Sequence, residues 1–238
     1  MSRVLIPVIG RVNVGHVLEA KAMEAAQVVC IDENEYLSSI MGTYNHIHNP
    51  YFMFNDGPDG ANGLTFKMKT KAIPKHSFKV PFICGAAEMS EVLRGISEGA
   101  SMIRTKYTSD EETQEVSKTT EIVRKIMDSL GEIIYADETR LGNLATTYDV
   151  LPELLQMIKQ QRRLPVPFFA AGGIFMPIDV AMLMALGCDG VIVSNRVFNV
   201  LSPESRLESI MTAIKKYKEP GELAKIIERT GGYGTATA

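Results

Sequence analysis

Phe168-Phe169-Ala170-Ala171 is a short apolar run that ends in Gly172-Gly173-Ile174. One helical segment later, Gly190-Val191-Ile192-Val193 ends in Ser194-Asn195-Arg196. Paired glycines let a chain turn through left-handed backbone and point successive N–H groups at an anion. The helix that follows such a turn adds the positive end of its dipole. Two such turns on neighbouring strands would converge on one phosphate. The second turn carries side chains where bare backbone usually serves. Either Arg196 holds a phosphate through its guanidinium, or the site no longer binds one. Other reactive types stand at the ends of apolar runs: Lys106 after Arg104-Thr105, Asp32 after Val28–Ile31, and His16 after Gly15. Taken alone they read as an exposed cation, a capping or loop acid, and a histidine at a helix start. His46 and His48 lie two apart with no cysteine nearby, which suits a solvated loop better than a metal site.

Positioning these groups requires strands with reactive ends. Apolar runs at Val4–Ile9, Val28–Ile31, Val80–Cys84, Met102–Thr105, Pro167–Ala171 and Val191–Ser194 are continuous, not alternating. Strands of a parallel sheet covered on both faces read this way. Between them lie helical apolar faces: Val17, Leu18, Ala22 and Ala25 in the first, Met89, Val92, Leu93 and Ile96 in the second. Further faces run along Ile122–Leu130, Leu151–Ile158, Val180–Leu186 and Leu207–Ile214. Gly131 and Gly187 stand where helices are expected to end. Six βα units in order predict an α/β fold of the (βα)8 TIM-barrel type, whose last two strands carry phosphate-binding turns of this kind. The whole chain, 1–238, reads as one such domain, interrupted by an insertion at about 36–72 and ending in a flexible tail at about 230–238.

Composition narrows the function. A net charge of −3 gives no basic surface for nucleic acid. No apolar run is long enough to span a membrane. Cys30, Cys84 and Cys188 lack metal-ligand spacing and read as reduced packing residues, which predicts a cytoplasmic protein.

Several segments together carry a resemblance. They are Ile6-Pro7-Val8, Val14-Gly15-His16-Val17-Leu18-Glu19-Ala20, Cys30-Ile31-Asp32-Glu33, Val80-Pro81-Phe82-Ile83-Cys84-Gly85 and Glu98-Gly99-Ala100-Ser101-Met102-Ile103-Arg104-Thr105-Lys106. Leu164-Pro165-Val166, Phe169–Gly173 and Leu186–Val191 continue the series in the same order. The chain resembles the PdxS/SNZ family, the synthase subunit of glutamine-dependent pyridoxal 5′-phosphate synthase. That family condenses a pentose phosphate and a triose phosphate with ammonia, through lysines that form Schiff bases, carboxylates that move protons, and phosphate cradles.

The resemblance implies a role for each matching position. Lys106 matches the family's second Schiff-base lysine, Asp32 an active-site carboxylate, and His16 the histidine of a Gly-His turn. Gly172 and Gly173 match a phosphate turn, Ser194-Asn195-Arg196 replace Gly-Ser-Gly, and Arg104 is retained. The first Schiff-base lysine is replaced by Arg11, whose guanidinium stays protonated and cannot form the imine. The glycine-rich loop after Lys106 is replaced by Tyr107-Thr108-Ser109-Asp110-Glu111-Glu112, with three carboxylates where an anion would sit. The match starts at the family's third strand, so its first two βα units have no counterpart.

These departures imply a catalytically impaired subunit of vitamin B6 synthesis that assembles with, or regulates, an active PdxS/SNZ-type chain. Two alternatives stay open: residual synthase activity on sugar phosphates through Lys106, and a scaffold or binding module outside B6 metabolism. A homo- or hetero-oligomer is expected, with a sugar phosphate as the conceivable ligand. No cofactor and no metal are expected, and pairing with a glutaminase subunit is put in doubt, because the elements that dock it in the family are not matched.

Overall fold

The structure is a computed structural model that describes residues 6–34, 73–107 and 114–230. Six parallel strands form one sheet: β1 Ile9–Asn13, β2 Cys30–Asn34, β3 Phe82–Ala86, β4 Met102–Thr105, β5 Phe168–Ala171 and β6 Gly190–Ile192. Their order in space is their order in sequence, with every neighbouring pair parallel. A wall of a (βα)8 barrel runs in this order, each strand beside the one before it. Helix α1 Val17–Ala25 follows β1, α2 Met89–Ser97 follows β3, and α3 Val116–Tyr135, α4 Glu138–Tyr148 and α5 Pro152–Gln161 lie between β4 and β5. They are followed by α6 Pro177–Ala185, α7 Pro203–Lys216 and α8 Pro220–Thr230.

The main core lies between the sheet and its helices. Ile103 and Phe168 from the strands meet Leu93, Ile126, Leu155 and Leu183 from the helices, all essentially inaccessible. Gly95 lets α2 approach closely: a Cβ there would lie 3.0 Å from Ile103 Cδ1 and 3.4 Å from Cys84 Cβ. A smaller cluster of Val12, Ala20, Val28, Ile31, Ile73 and Phe82 closes the β1–β2 corner.

Strand alternation divides the chemistry between two faces. Ile31, Glu33, Cys84 and Ile103 turn toward the helices, while Arg11, Asp32 and Arg104 turn to the opposite face.

Several sequence expectations need correction. The first strand is Ile9–Asn13, not Val4–Ile9, so Arg11 sits at mid-strand; Val4 and Leu5 lie outside the described residues. Gly131 does not end a helix: α3 continues past it to Tyr135, because the apolar spacing resumes at Ile133. Gly187 does follow a helix end, with φ +109 after the α6 cap at Leu186. The apolar stripe of α1 is not buried either. Leu18 is 81% exposed, Ala22 and Ala25 are exposed, and only Ala20 is enclosed. The helix α4 has no counterpart in the sequence reading; Asp137 caps it by accepting from the Arg140 N–H at 2.7 Å, and Asp149 ends it in left-handed backbone. The expected insertion 36–72, with His46 and His48, the loop 108–112 and the tail 231–238 lie outside the described residues.

Candidate functional site

The face opposite the helices gathers a cluster from the middle of β1 and β2 and the carboxyl end of β4. Arg104 is fully enclosed, and its Nε donates to Asp32 Oδ1 at 2.9 Å, with Nη2 at the same distance. Its Nη1 donates to the Thr105 carbonyl at 3.1 Å. The side chain must reach from β4 across β3 to β2. Gly85 lies beside Arg104 in the register and Ile83 beside Asp32, so a residue without a side chain leaves the crossing open. Asp32 is enclosed too, and its second oxygen lies 3.5 Å from Arg11 Nε on β1. Tyr107 completes the group. The Arg104 guanidinium stands 4.4 Å from its ring centre and that of Arg11 5.4 Å, while Arg11 Nη2 donates to the phenol oxygen at 3.4 Å. Cationic guanidinium groups on an aromatic face gain from its quadrupole. Arg11 remains 42% exposed in its side chain, so of the two arginines it is the one water reaches.

Lys106 and His16 each pair with a carboxylate on a helix. Lys106 Nζ pairs with Glu91 Oε1 at 2.9 Å at the start of α2, and Glu91 Oε2 accepts the Ala87 N–H at 2.8 Å. His16 opens α1 exposed to solvent, with Nδ1 3.2 Å from Glu19 Oε1. The structure thus joins Arg11, Asp32 and Arg104, and gives Lys106 and His16 partners on helices.

The glycine turn after β5 is packed by the chain itself. Gly172 and Gly173 have φ of +107 and +71. A Cβ on Gly172 would lie 2.2 Å from Gln114 Nε2, and one on Gly173 2.3 Å from the Gln114 carbonyl oxygen. Thr119 Oγ1 donates to the Gly172 carbonyl at 2.8 Å and accepts from Gln114 Nε2 at 3.0 Å. Close approach of residues 114–116 therefore accounts for both glycines. Across the gap, the Ser194 N–H donates to the Ile174 carbonyl at 2.7 Å, and its hydroxyl accepts the Arg196 N–H at 3.4 Å. Ser194 Oγ also donates to Asn195 Oδ1 at 3.2 Å. The Arg196 guanidinium lies 4.0 Å from the Phe175 ring centre, stacked on an aromatic face.

A second buried ionic group has no signal in the sequence. Lys75, in a 3₁₀ turn at Lys75–Ser77, has a side chain only 1% exposed; its Nζ contacts Glu33 Oε2 at 2.9 Å and Glu98 Oε2 at 3.0 Å. Cys84 Sγ donates to the same Glu33 oxygen at 3.6 Å, and Glu33 Oε1 accepts the Gly15 N–H at 3.2 Å. Burial works against the Lys75 charge, but the Cys84 thiol and the two carboxylates outweigh it and raise its pKa. A loop lysine beyond a long irregular segment looks solvated until the fold brings acids to it. Tyr107 and Gln114 escape the sequence reading similarly, because their partners are remote in the chain.

Among the described residues no group of His, Cys, Asp and Glu is placed to hold a metal ion, and no helix is long and apolar enough to cross a membrane.

Comparison with known proteins gives the chain its family. The model of the SOR/SNZ family matches residues 1–55 and 56–171. This chain belongs to the SOR/SNZ family. Among its relatives is a protein of Clostridium botulinum (strain Langeland) named pyridoxal 5′-phosphate synthase subunit PdxS, 35% identical over 98% of this chain and 70% of its own length. The PdxS subunit of Dictyoglomus turgidum is 37% identical over 97% of this chain and 68% of its own. That of Thermotoga maritima is 34% identical over 97% and 69%. The two blocks matched to this SOR/SNZ chain meet inside the segment 36–72, where an insertion is expected. A solved IMP dehydrogenase/GMP reductase-like protein from Corynebacterium glutamicum aligns with a TM-score of 0.45 and 14% identity, over 82% of this chain and 41% of its own.

Proposed function

We propose that this SOR/SNZ chain serves vitamin B6 biosynthesis as a catalytically impaired subunit, one that assembles with or regulates an active PdxS-type synthase. Support for the pathway comes from relatives named as subunits of pyridoxal 5′-phosphate synthase across nearly the whole chain. Support for impairment rests on one observation: a guanidinium, Arg11, pairs with Asp32 where the family resemblance calls for a primary amine. A protonated guanidinium has no lone pair to attack a sugar carbonyl, so no imine forms there. Arg11, the exposed member of the group, remains suited to hold a charged or carbonyl oxygen of a sugar phosphate, with Asp32 and Arg104 holding it in place. A pentose phosphate such as ribose 5-phosphate is therefore the proposed ligand, bound without covalent capture at position 11.

The test is direct. Purified protein is incubated with ribose 5-phosphate, a triose phosphate and ammonia, and formation of the coenzyme is followed by absorbance. No product is expected from the chain alone, and co-purification with a full-length PdxS-type chain is expected from its source. Turnover by the isolated chain would remove the impaired-subunit reading.

A second reading draws on Lys106, a primary amine just beyond β4, partly exposed and held by Glu91. It could form an imine by itself and sustain residual synthase chemistry. Borohydride reduction in the presence of ribose 5-phosphate, followed by peptide mass analysis, separates the readings: an adduct on Lys106 favours this one, and no adduct removes it.

A further inference from the structure

Glu33 and Asp32 are neighbours on β2 that face opposite ways. Asp32 belongs to the arginine cluster, and Glu33 points to the helix side, where only 5% of its side chain is exposed. A carboxylate so enclosed keeps its charge only if a cation and hydrogen bonds replace water. Lys75 supplies the cation at 2.9 Å, and is itself held by Glu98 from the end of α2. The charged Glu33 then has one oxygen left, and spends it on the Gly15 N–H at 3.2 Å. Gly15, with φ +80, is the turn by which β1 becomes α1. That turn lies directly beyond Arg11–Val12–Asn13 and fixes how β1 leaves the sheet. The chain of contacts runs from α2 through Lys75 and Glu33 to the rim that carries Arg11, while the Glu33 backbone is continuous with Asp32.

We infer that Lys75 is a positioning residue for the arginine cluster, acting through Glu33 on the β1–α1 turn. The inference rests on the reading of that cluster as a sugar-phosphate site, and it assigns a function to a group that touches no ligand. Removing the ammonium leaves Glu33 buried without a cation, beside the Cys84 thiol and the Gly15 N–H. The carboxylate then turns toward water, and that weakens its hold on Gly15. Arg11 and Asp32 lose their fixed separation, although neither is altered.

The experiment uses the full chain and three forms: the natural protein, Lys75→Met, and the double variant Lys75→Met with Glu33→Gln. Glutamine keeps a carbonyl oxygen for Gly15 and needs no cation. Amide hydrogen exchange is measured residue by residue, and ribose 5-phosphate binding by calorimetry. In Lys75→Met, exchange at Gly15 is expected to rise about tenfold relative to core amides such as Leu155, with affinity falling about tenfold. The double variant is expected to recover both, whatever its melting temperature. Exchange that rises equally throughout the molecule, or a double variant no better than the single one, would reduce Lys75 to a general stabiliser and overturn the inference. Failure of the natural protein to bind ribose 5-phosphate would instead overturn the ligand reading, and the selective exchange at Gly15 would still decide the role of Lys75.

Discussion

Asp32 carries the arginine cluster, since it is the carboxylate shared by Arg104 and Arg11. Removing one partner of an enclosed ion pair leaves the other charge without compensation, at about 3–5 kcal/mol. Asp32→Asn keeps the volume and removes the charge that Arg104 needs. Urea unfolding is therefore expected to show a loss of about that size, and a loss below about 1 kcal/mol would mean that Arg104 depends on other groups. Cys188 gives a prediction in pH. Burial, with Asp189 adding to it and a hydrogen bond to Ala170 opposing it, pushes its thiol up to about 12 from an ordinary 9.0. Between those values the unfolded chain has lost the proton and the folded chain keeps it. The contribution of this group to stability is thus whole below about pH 9 and falls as pH rises toward 12, by about 1.4 kcal/mol per pH unit. Cys188→Ala should flatten that alkaline decline, as measured by thermal unfolding at stepped pH. An unchanged slope would show that other groups cause it.

Glycines show how differently one residue type acts in different elements. Gly173 combines φ +71 with a neighbour 2.3 Å from any added Cβ, whereas Gly131 lies inside α3 with nothing within 4 Å. Gly173→Ala must therefore strain the backbone and displace residues 114–116, at about 2 kcal/mol or more. Gly131→Ala should gain about 0.5–1 kcal/mol from helix propensity. Denaturant midpoints moving in opposite directions are the expected result; a Gly173→Ala midpoint that does not fall would refute the packing account of the Gly172-Gly173 turn. The same pair shows what the sequence discloses. Strand order, the α/β class and most helix faces follow from continuous apolar runs alternating with helical spacing, and those signals are local. Gly131 was open to misreading because composition cannot tell a helix interior from its end. The stripe of α1 was misleading because periodicity reports an apolar face without saying whether anything covers it. Arg11, Asp32 and Arg104 were each visible as candidates, but their union across β1, β2 and β4 needed the register. Lys75 was invisible, as its acids come from β2 and α2.

At the level of the whole molecule, the sheet has two terminal strands, and among the described residues each pairs on one side: β1 with β2, β6 with β5. A terminal parallel strand presents N–H and C=O groups that another strand can take up. Apolar side chains near these strands are exposed: Ile6, Val8 and Ile9 at β1, Leu18 on α1, Val29 before β2, and Phe198 and Leu201 after β6. Parallel sheets are normally covered on both faces, so such exposure is costly for a chain acting by itself. The subunit reading makes these edges the surface that a PdxS-type partner covers, and that has a measurable consequence. When the purified chain is mixed with a full-length PdxS-type synthase, amides of Ile9–Asn13 should exchange at least about tenfold more slowly than in the chain alone. Amides of α5, enclosed by its own core neighbours, should not change. Native mass measurement of the same mixture should give a particle containing both chains. Unaltered exchange along β1, with each chain found only in its own particle, would reject assembly with that partner. The exposed stripe of α1 would then need another cover.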